Sequence, residues 1–382
     1  MTEIKTLAVT GDAGFIKRYR IFCDALADRC RHLEPLVSGD IYNITLSGKA
    51  VKALYKIART VDPKKSLGLG DMHKRKAAFF RKSRQTEEKI RCLSPQPDFV
   101  LHLFGMYAPF LHESRIPFAM TLDYTMALAV RQWPAWAPFL GSDARDAWLN
   151  MEKDAYRRAA HLFPWSEMTK RSLMQDYDVP KTKITVIGSS GQFRKPYDGP
   201  KSFGTRRIIF NGAEWERKGG DILLAAFQRL RQTLPDATLV IVGTQTPVSA
   251  PGVLCPGYIS SPDEMQNLFL GADLLAAPAR CEPYGGFLVE GMNYGVPCVV
   301  TNSGGMPEIV DHEVNGLVVN THDPGDLADA LLLLMTDPAR LEQFSRNARE
   351  KVRAELNWDC VAGKIFDALH RQNIQPGSAA LL

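Results

Sequence analysis

Residues 273–302 read DLLAAPARCEPYGGFLVEGMNYGVPCVVTN. A short apolar run leads into a loop with two adjacent glycines, then a helix-length segment, then a second apolar run. Neither run alternates with polar residues, so both read as strands buried on both faces. Strand, helix, strand in that order is the unit of a parallel sheet.

The same alternation continues outward. RRIIFNG (206–212) is a predicted strand, GGDILLAAFQRLRQTLP (219–235) a helix, ATLVIVG (237–243) a strand and DEMQNLFLGA (263–272) a helix. In the first half, Thr6 to Thr10 reads as a strand running into a glycine turn. PDFVLHLF (97–104) and PFAMTLDYT (117–125) read as buried strands. ARDAWLNMEKDAYRRAAHLF (144–163) reads as an amphipathic helix entering a strand, and ITVIGSS (184–190) as another strand. GQFRKPYDGPKSFGT (191–205) has the composition of a linker. The expectation is an α/β protein with two doubly wound parallel-sheet domains facing a cleft, over residues 1–195 and 203–357.

A chain of 382 residues with 45% apolar content fits two domains. No apolar run approaches the roughly 18 residues needed to span a bilayer, and no secretory signal opens the chain. Seven cysteines, an odd number without a CxxC pair, fit reduced thiols in a cytoplasmic protein better than a disulfide framework or a zinc site. Net charge is +5, yet residues 49–91 hold fourteen Lys and Arg against four Asp and Glu. One stretch inside this region, residues 72–91, alternates cations with Phe79 and Phe80. It fits a peripheral contact with the cytoplasmic face of an anionic membrane, and equally a helix whose Phe pair packs inward. No nucleic-acid-binding motif accompanies the charge, so nucleic acid is not an expected partner.

The quoted loop is suited to an anion flanked by sugars. A helix starting near Gly286 presents unpaired N–H groups, and Gly285 and Gly286 allow close approach to them. Glu282 and Glu290, on either side, can accept hydrogen bonds from sugar hydroxyls. A second loop, NGAEWERKGG (211–220), ends a strand and carries Arg217 and Lys218, cations able to neutralise a diphosphate leaving group. A third, TNSGGMPEI (301–309), reads as a strand entering a tight glycine turn. Asp176-Tyr177-Asp178 has the DxD form of a metal-binding pair but sits at a predicted helix end. With two cations available, no metal or other cofactor is expected.

Taken in order, these stretches resemble the retaining GT-B glycosyltransferases of family 4. The residues that carry the likeness are G-x5-K-G at 212–219, PDATLVIVG at 235–243, EPYGGFLVE at 282–290, GVPCVVTNSGGMPEIV at 295–310, NGLVV at 315–319 and LNWD at 356–359. The likeness covers roughly residues 155–370, and in the first half only GDAGF (11–15) and PWSEMTKRSL (164–173) match. It implies two facing Rossmann-like domains, with residues 358–382 returning to the first. It implies that Glu282 contacts donor-sugar hydroxyls and that Glu290 holds the ribose. The backbone at Gly285, Gly286 and Phe287, with neighbouring Tyr284 and Leu288, would meet sugar and diphosphate. Lys218 would neutralise the diphosphate, and Tyr258 and Ile259 would lie against the base. The implied reaction transfers a sugar from a UDP-sugar or GDP-sugar to a glycan or lipid-linked glycan of the cell surface. Gly11, Asp12 and Gly14 would lie on the acceptor side, with His102 as a further candidate there.

Two positions depart from the family pattern. Ala213 stands where many relatives have arginine, which makes Arg217 the candidate replacement. Asp123 stands where many have histidine near the reaction centre, and a carboxylate there would serve to bind a donor hydroxyl or position the acceptor. A sugar-nucleotide epimerase of the same fold and a catalytically inactive relative are the alternatives. A dinucleotide-dependent oxidoreductase would need a GxGxxG after a strand, which is absent.

Overall fold

The computed structural model describes residues 4–38, 74–139, 141–244, 248–319 and 323–372. The chain divides into two compact units, one running to Ile187 and resuming at Ala362, the other spanning Gly188–Val361.

The first unit is a parallel sheet of β1 (Thr6–Asp12), β2 (His32–Ser38), β3 (Phe99–Leu103), β4 (Phe118–Leu122) and β5 (His161–Pro164), in the order β2-β1-β3-β4-β5. Strands β3, β4 and β5 are buried at every position, as their unbroken apolar runs require. The core beside them gathers Phe79, Tyr107, Trp148 and Tyr156, each 4% exposed or less.

The second unit is a six-stranded parallel sheet: β6 (Arg207–Asn211), β7 (Thr238–Val242), β8 (Val253–Gly257), β9 (Leu274–Ala277), β10 (Cys298–Thr301) and β11 (Gly316–Val319). Its order is β11-β10-β9-β6-β7-β8. The chain moves outward from β6 through β7 to β8, then returns to the other side of β6 for β9. Order therefore reverses between β6 and β9, and the crevice beyond their carboxyl ends is where such sheets bind ligands. The helix Gly220–Thr233 buries Ile222, Leu223, Ala226, Phe227 and Leu230. That spacing is one face of a 3.6-residue helix, and each large side chain adds about 1.5–3 kcal/mol on burial.

Some segments differ from the sequence expectation. ITVIGSS makes only an isolated bridge, Ile184 to Leu162. It lies along one edge of β5 through the amides of Thr185 and Ile187, which donate to Leu162 and Pro164 at 3.1 and 3.0 Å. The 191–205 stretch is packed at its start rather than loose. The Trp358 indole N–H donates to the Gly191 carbonyl at 2.8 Å, and the Ser190 hydroxyl to the Leu356 carbonyl at 3.0 Å. Asn357 separates the last two helices by bonding both: its amide donates to the carbonyls of Val352 and Arg353, and its oxygen accepts from the Cys360 N–H.

Of the basic stretch, residues 49–73 lie outside the described residues. Lys76–Arg91 is a helix that buries Ala78, Phe79, Lys82, Ser83, Thr86 and Ile90. The Phe pair is split, with Phe79 4% and Phe80 41% exposed. Consecutive helix positions lie about 100° apart, so the two rings cannot share one face. Among the described residues, no helix is long and apolar enough to cross a membrane.

Phe79→Ala should therefore cost about 3–5 kcal/mol, and Phe80→Ala under about 1 kcal/mol. Urea unfolding of the two variants checks this; equal losses would contradict the orientation of the helix.

Candidate active site

Two loops leave neighbouring strands of the second unit at the same edge. The loop after β6 runs from Gly212 to Gly219, and the loop after β9 from Pro278 to Gly285. They pack so closely that a Cβ on Gly219 would stand 2.0 Å from the Pro278 carbonyl oxygen. Gly219 also has φ +73°, a left-handed conformation that glycine adopts without penalty. The Arg280 N–H donates to the Arg217 carbonyl at 2.8 Å, and the Arg280 guanidinium forks onto Asp221 at 2.7 Å and 2.7 Å.

The loop after β10 holds the β9 loop from its other side. The Thr301 hydroxyl donates to the Ala279 carbonyl at 2.7 Å, the Ser303 hydroxyl to the Arg280 carbonyl at 3.0 Å, and the Gly305 N–H to the Glu282 carbonyl at 3.1 Å. Gly304 has φ +62°, and a Cβ there would stand 1.6 Å from the Glu282 oxygen. TNSGG is thus the seat of the Glu282 loop rather than a plain turn.

Glu282 points into the gap between the loops and is 9% exposed. Its Oε2 accepts from the Lys218 ammonium and lies 3.4 Å from Nη1 of Arg217. Burial alone would raise the pKa of this carboxyl. The Lys218 and Arg217 charges outweigh burial and hold it below the ordinary carboxylate value. A small pocket beside it has Asn211, Lys218, Glu282, Gly285, Phe287 and Leu288 among its walls. Gly285, at φ +115°, precedes the helix Gly286–Asn293.

The other expected residues are placed as follows. Glu290 is half-buried one turn along that helix and accepts from the Gln192 N–H at 3.2 Å. A Cβ on Gly191 would be 2.3 Å from its Cγ, so the 191–192 backbone lies directly against it. Tyr284 is 4% exposed and turns away from the pocket, its hydroxyl 3.0 Å from where a Cβ of Gly188 would stand. Tyr258 follows β8 and is 83% exposed; Ile259 beside it is half-buried. Arg217 is fully occupied by protein partners, as described below.

In the first unit the order also reverses, between β1 and β3. Asp12 ends β1, and its carboxylate accepts from the Lys82 ammonium at 2.8 and 2.9 Å and from the Ser38 hydroxyl at 2.8 Å. Gly11 lies against Leu103, whereas Gly14 faces open space. His102 is wholly buried in β3, with Nδ1 2.7 Å from the Thr10 hydroxyl. Burial is the main cause that lowers its pKa to about 3, so at neutral pH it is an uncharged core residue. Asp123 follows β4 directly and is half-buried; its carbonyl accepts from the Thr169 hydroxyl at 2.8 Å. Asp176 ends the helix Glu167–Asp176 and pairs with Arg131, while Asp178 pairs with Lys153.

Residues 198–351, which hold the whole second sheet, match the family model described as Glycosyl transferases group 1. The chain is a glycosyltransferase, and its second unit carries the group 1 match. This glycosyltransferase is 33% identical over 171 residues to the GDP-mannose-dependent alpha-(1-6)-phosphatidylinositol monomannoside mannosyltransferase of Mycobacterium tuberculosis. That match covers 40% of the chain and 44% of the relative's own length. An uncharacterized glycosyltransferase of Methanocaldococcus jannaschii, MJ1607, is 25% identical over 289 residues, covering 69% of the chain and 71% of the relative. Among solved structures, the sucrose-phosphate synthase of Thermosynechococcus elongatus superposes with a TM-score of 0.65 at 17% identity, over 97% of this chain and 99% of that one. That likeness is one of fold, the GT-B arrangement of two parallel-sheet α/β domains.

Sequence reasoning missed four contributors to the two sites in this glycosyltransferase. Glu214, Asn211 and Lys82 gave no signal in a single sequence. Gly304 did, as a glycine pair directly after a strand end. Gly304→Ala should cost at least about 1 kcal/mol, while Gly14→Ala, with open space around it, should not destabilise. Thermal melts of the two variants test this, and a neutral Gly304→Ala would remove the close approach from the account.

Proposed function

We propose that this glycosyltransferase moves a sugar from a nucleoside-diphosphate sugar, a UDP-sugar or GDP-sugar, to a hydroxyl of a glycan or lipid-linked glycan, with retention at the anomeric carbon. The observation that carries the reading is Glu282 paired with Lys218 at the point where strand order reverses, beside the glycines that open the helix Gly286–Asn293. The M. tuberculosis relative, named for a GDP-mannose donor, supports the same donor class.

In this reading the diphosphate lies against the amides at Gly285, Gly286 and Phe287, and Lys218 neutralises the charge that grows on it as the glycosidic bond breaks. Glu282 accepts hydrogen bonds from donor-sugar hydroxyls. Glu290 presents two carboxylate oxygens, with about four acceptor sites, to the ribose hydroxyls. The exposed Tyr258 ring, with Ile259, lies against the base. The acceptor hydroxyl attacks on the face from which the diphosphate departs, and its proton passes to the leaving phosphate oxygen. Asp123 positions the acceptor, and the Asp12–Lys82 pair shapes the surface that receives it. No side-chain general base and no metal ion is assigned a step.

Lys218→Ala should lower turnover about 100-fold or more, and Glu290→Ala should weaken binding of the nucleoside diphosphate measured by calorimetry. Near-normal values in both variants would remove the donor site from this edge of the sheet.

We also propose a peripheral contact with an anionic membrane surface. Lys76, Phe80, Arg81 and Arg84 are all exposed on the helix Lys76–Arg91. Each cation near such a surface adds about 1 kcal/mol. Reversing Arg81 and Arg84 to Glu should therefore weaken co-sedimentation with phosphatidylglycerol vesicles by about tenfold or more. Equal binding by wild type to neutral phosphatidylcholine vesicles would contradict the contact.

A further inference from the structure

Arg217 was the expected stand-in for a phosphate-binding arginine, but its geometry points elsewhere. The side chain is 6% exposed and is not among the residues lining the pocket. Guanidinium N–H donors lie in a rigid planar fork. Here Nε and Nη2 donate to the two oxygens of Glu214, each at 2.9 Å. Nη1 donates to the Cys281 carbonyl at 2.7 Å and lies 3.4 Å from Oε2 of Glu282. Arg217 therefore ties the loop after β6 to the loop after β9, and it reaches the same carboxylate oxygen that Lys218 holds.

The anchor behind it is also unusual. Glu214 has φ +55°, in the left-handed region that a long side chain seldom enters. Its side chain is half exposed, so burial does not explain the strained backbone. The fork onto Arg217 does: this turn of the backbone sets both carboxylate oxygens opposite two donors three residues on. Strain of this kind persists where the surroundings fix it, often at functional sites.

We infer that Arg217 is a positioning residue that stays on Glu282 while Lys218 exchanges that carboxylate for the donor diphosphate. The inference rests on the roles proposed above for Lys218 and Glu282. Without donor, Lys218 and Glu282 neutralise each other. A bound diphosphate competes for the ammonium. If Lys218 were the sole counter-charge, its departure would leave a buried carboxylate unpaired. Such a group takes up a proton, and a protonated Glu282 accepts fewer hydrogen bonds from the sugar. With Arg217 in place the carboxylate stays ionised as the phosphate draws Lys218 away. The charged groups facing Glu282 are Lys218 and Arg217, with Glu214 behind Arg217. Arg280, on the same loop, is turned onto Asp221.

The test uses the full chain with carbon-13-labelled glutamate carboxyls, the Glu282 signal being assigned with Glu282→Gln. Titrations are run free and saturated with UDP or GDP, whichever binds, and calorimetry gives the affinity. In wild type the Glu282 carboxyl should titrate below the ordinary range in both states. In Arg217→Gln it should rise by about one pH unit or more on saturation, while nucleotide affinity changes less than about threefold, since Arg217 is not a phosphate ligand. Arg217→Lys should restore part of the wild-type behaviour. If Arg217→Gln fails to fold, Glu214→Gln, altered at a half-exposed side chain, should show the same rise in smaller measure. A rise in wild type on saturation, no rise in any variant, or a loss of nucleotide affinity of about tenfold or more in Arg217→Gln would each overturn the inference. Failure of wild type to bind either nucleotide would instead overturn the donor reading, and the inference with it.

Discussion

Strands β6 and β9 are neighbours in the sheet although β7 and β8 separate them in the chain. Everything at the candidate active site depends on that adjacency. It brings two loops, each following a buried parallel strand, to one edge of the sheet. The gap is closed by a single carboxylate, Glu282, set against Lys218 and Arg217. Backbone contacts then fix the loops to within a hydrogen bond. Gly219 admits the Pro278 carbonyl, and Gly304 admits the Glu282 carbonyl. A side chain at either position would push the loops apart. Both glycines are therefore part of the charge arrangement, although neither carries a charge.

The same principle appears in the first unit with a different outcome. Order reverses between β1 and β3, and Asp12 stands at the reversal with Lys82. Lys82 comes from the basic helix, so one of that helix's cations is an inward strut rather than a surface charge. The exposed cations Lys76, Arg81 and Arg84 flank Phe80 along the helix, whereas Phe79 belongs to the core. A stretch that reads as uniformly basic thus divides by helical geometry into a structural face and a charged outer face.

The two-unit parallel architecture was legible because central strands of such sheets must be apolar throughout. PDFVLHLF, PFAMTLDYT, ATLVIVG and PCVVTN all satisfy that, and all are strands. Strands β2 and β8 were not legible, for a physical reason. Each lies at a sheet edge and is partly exposed, and each contains a proline, Pro35 and Pro256. Proline lacks the N–H that an inner strand must donate, so it is tolerated at edges, where it also erases the apolar signature. At the site, the residue types in the loops after β6 and β9 were legible, but their partners were not. Sequence placed Arg217 beside Lys218 and suggested a shared role. Only the fold shows the guanidinium shared among Glu214, Cys281 and Glu282, with the ammonium on Glu282. Likewise His102 stands at a strand position that a single sequence leaves open, and burial makes it a core residue.

The proposed donor site sets the diphosphate of a nucleotide sugar on protein cations and amides at the edge of the second sheet. The most direct measurement is the thermal melt of the full chain with UDP, GDP or ADP, with and without magnesium. A ligand at 100 times its dissociation constant adds about 2.7 kcal/mol to stability. One nucleoside diphosphate should raise the melt in the absence of magnesium, and Lys218→Ala should lose the shift. A folded sample whose melt moves with none of the three, with or without the metal, would contradict the proposed site.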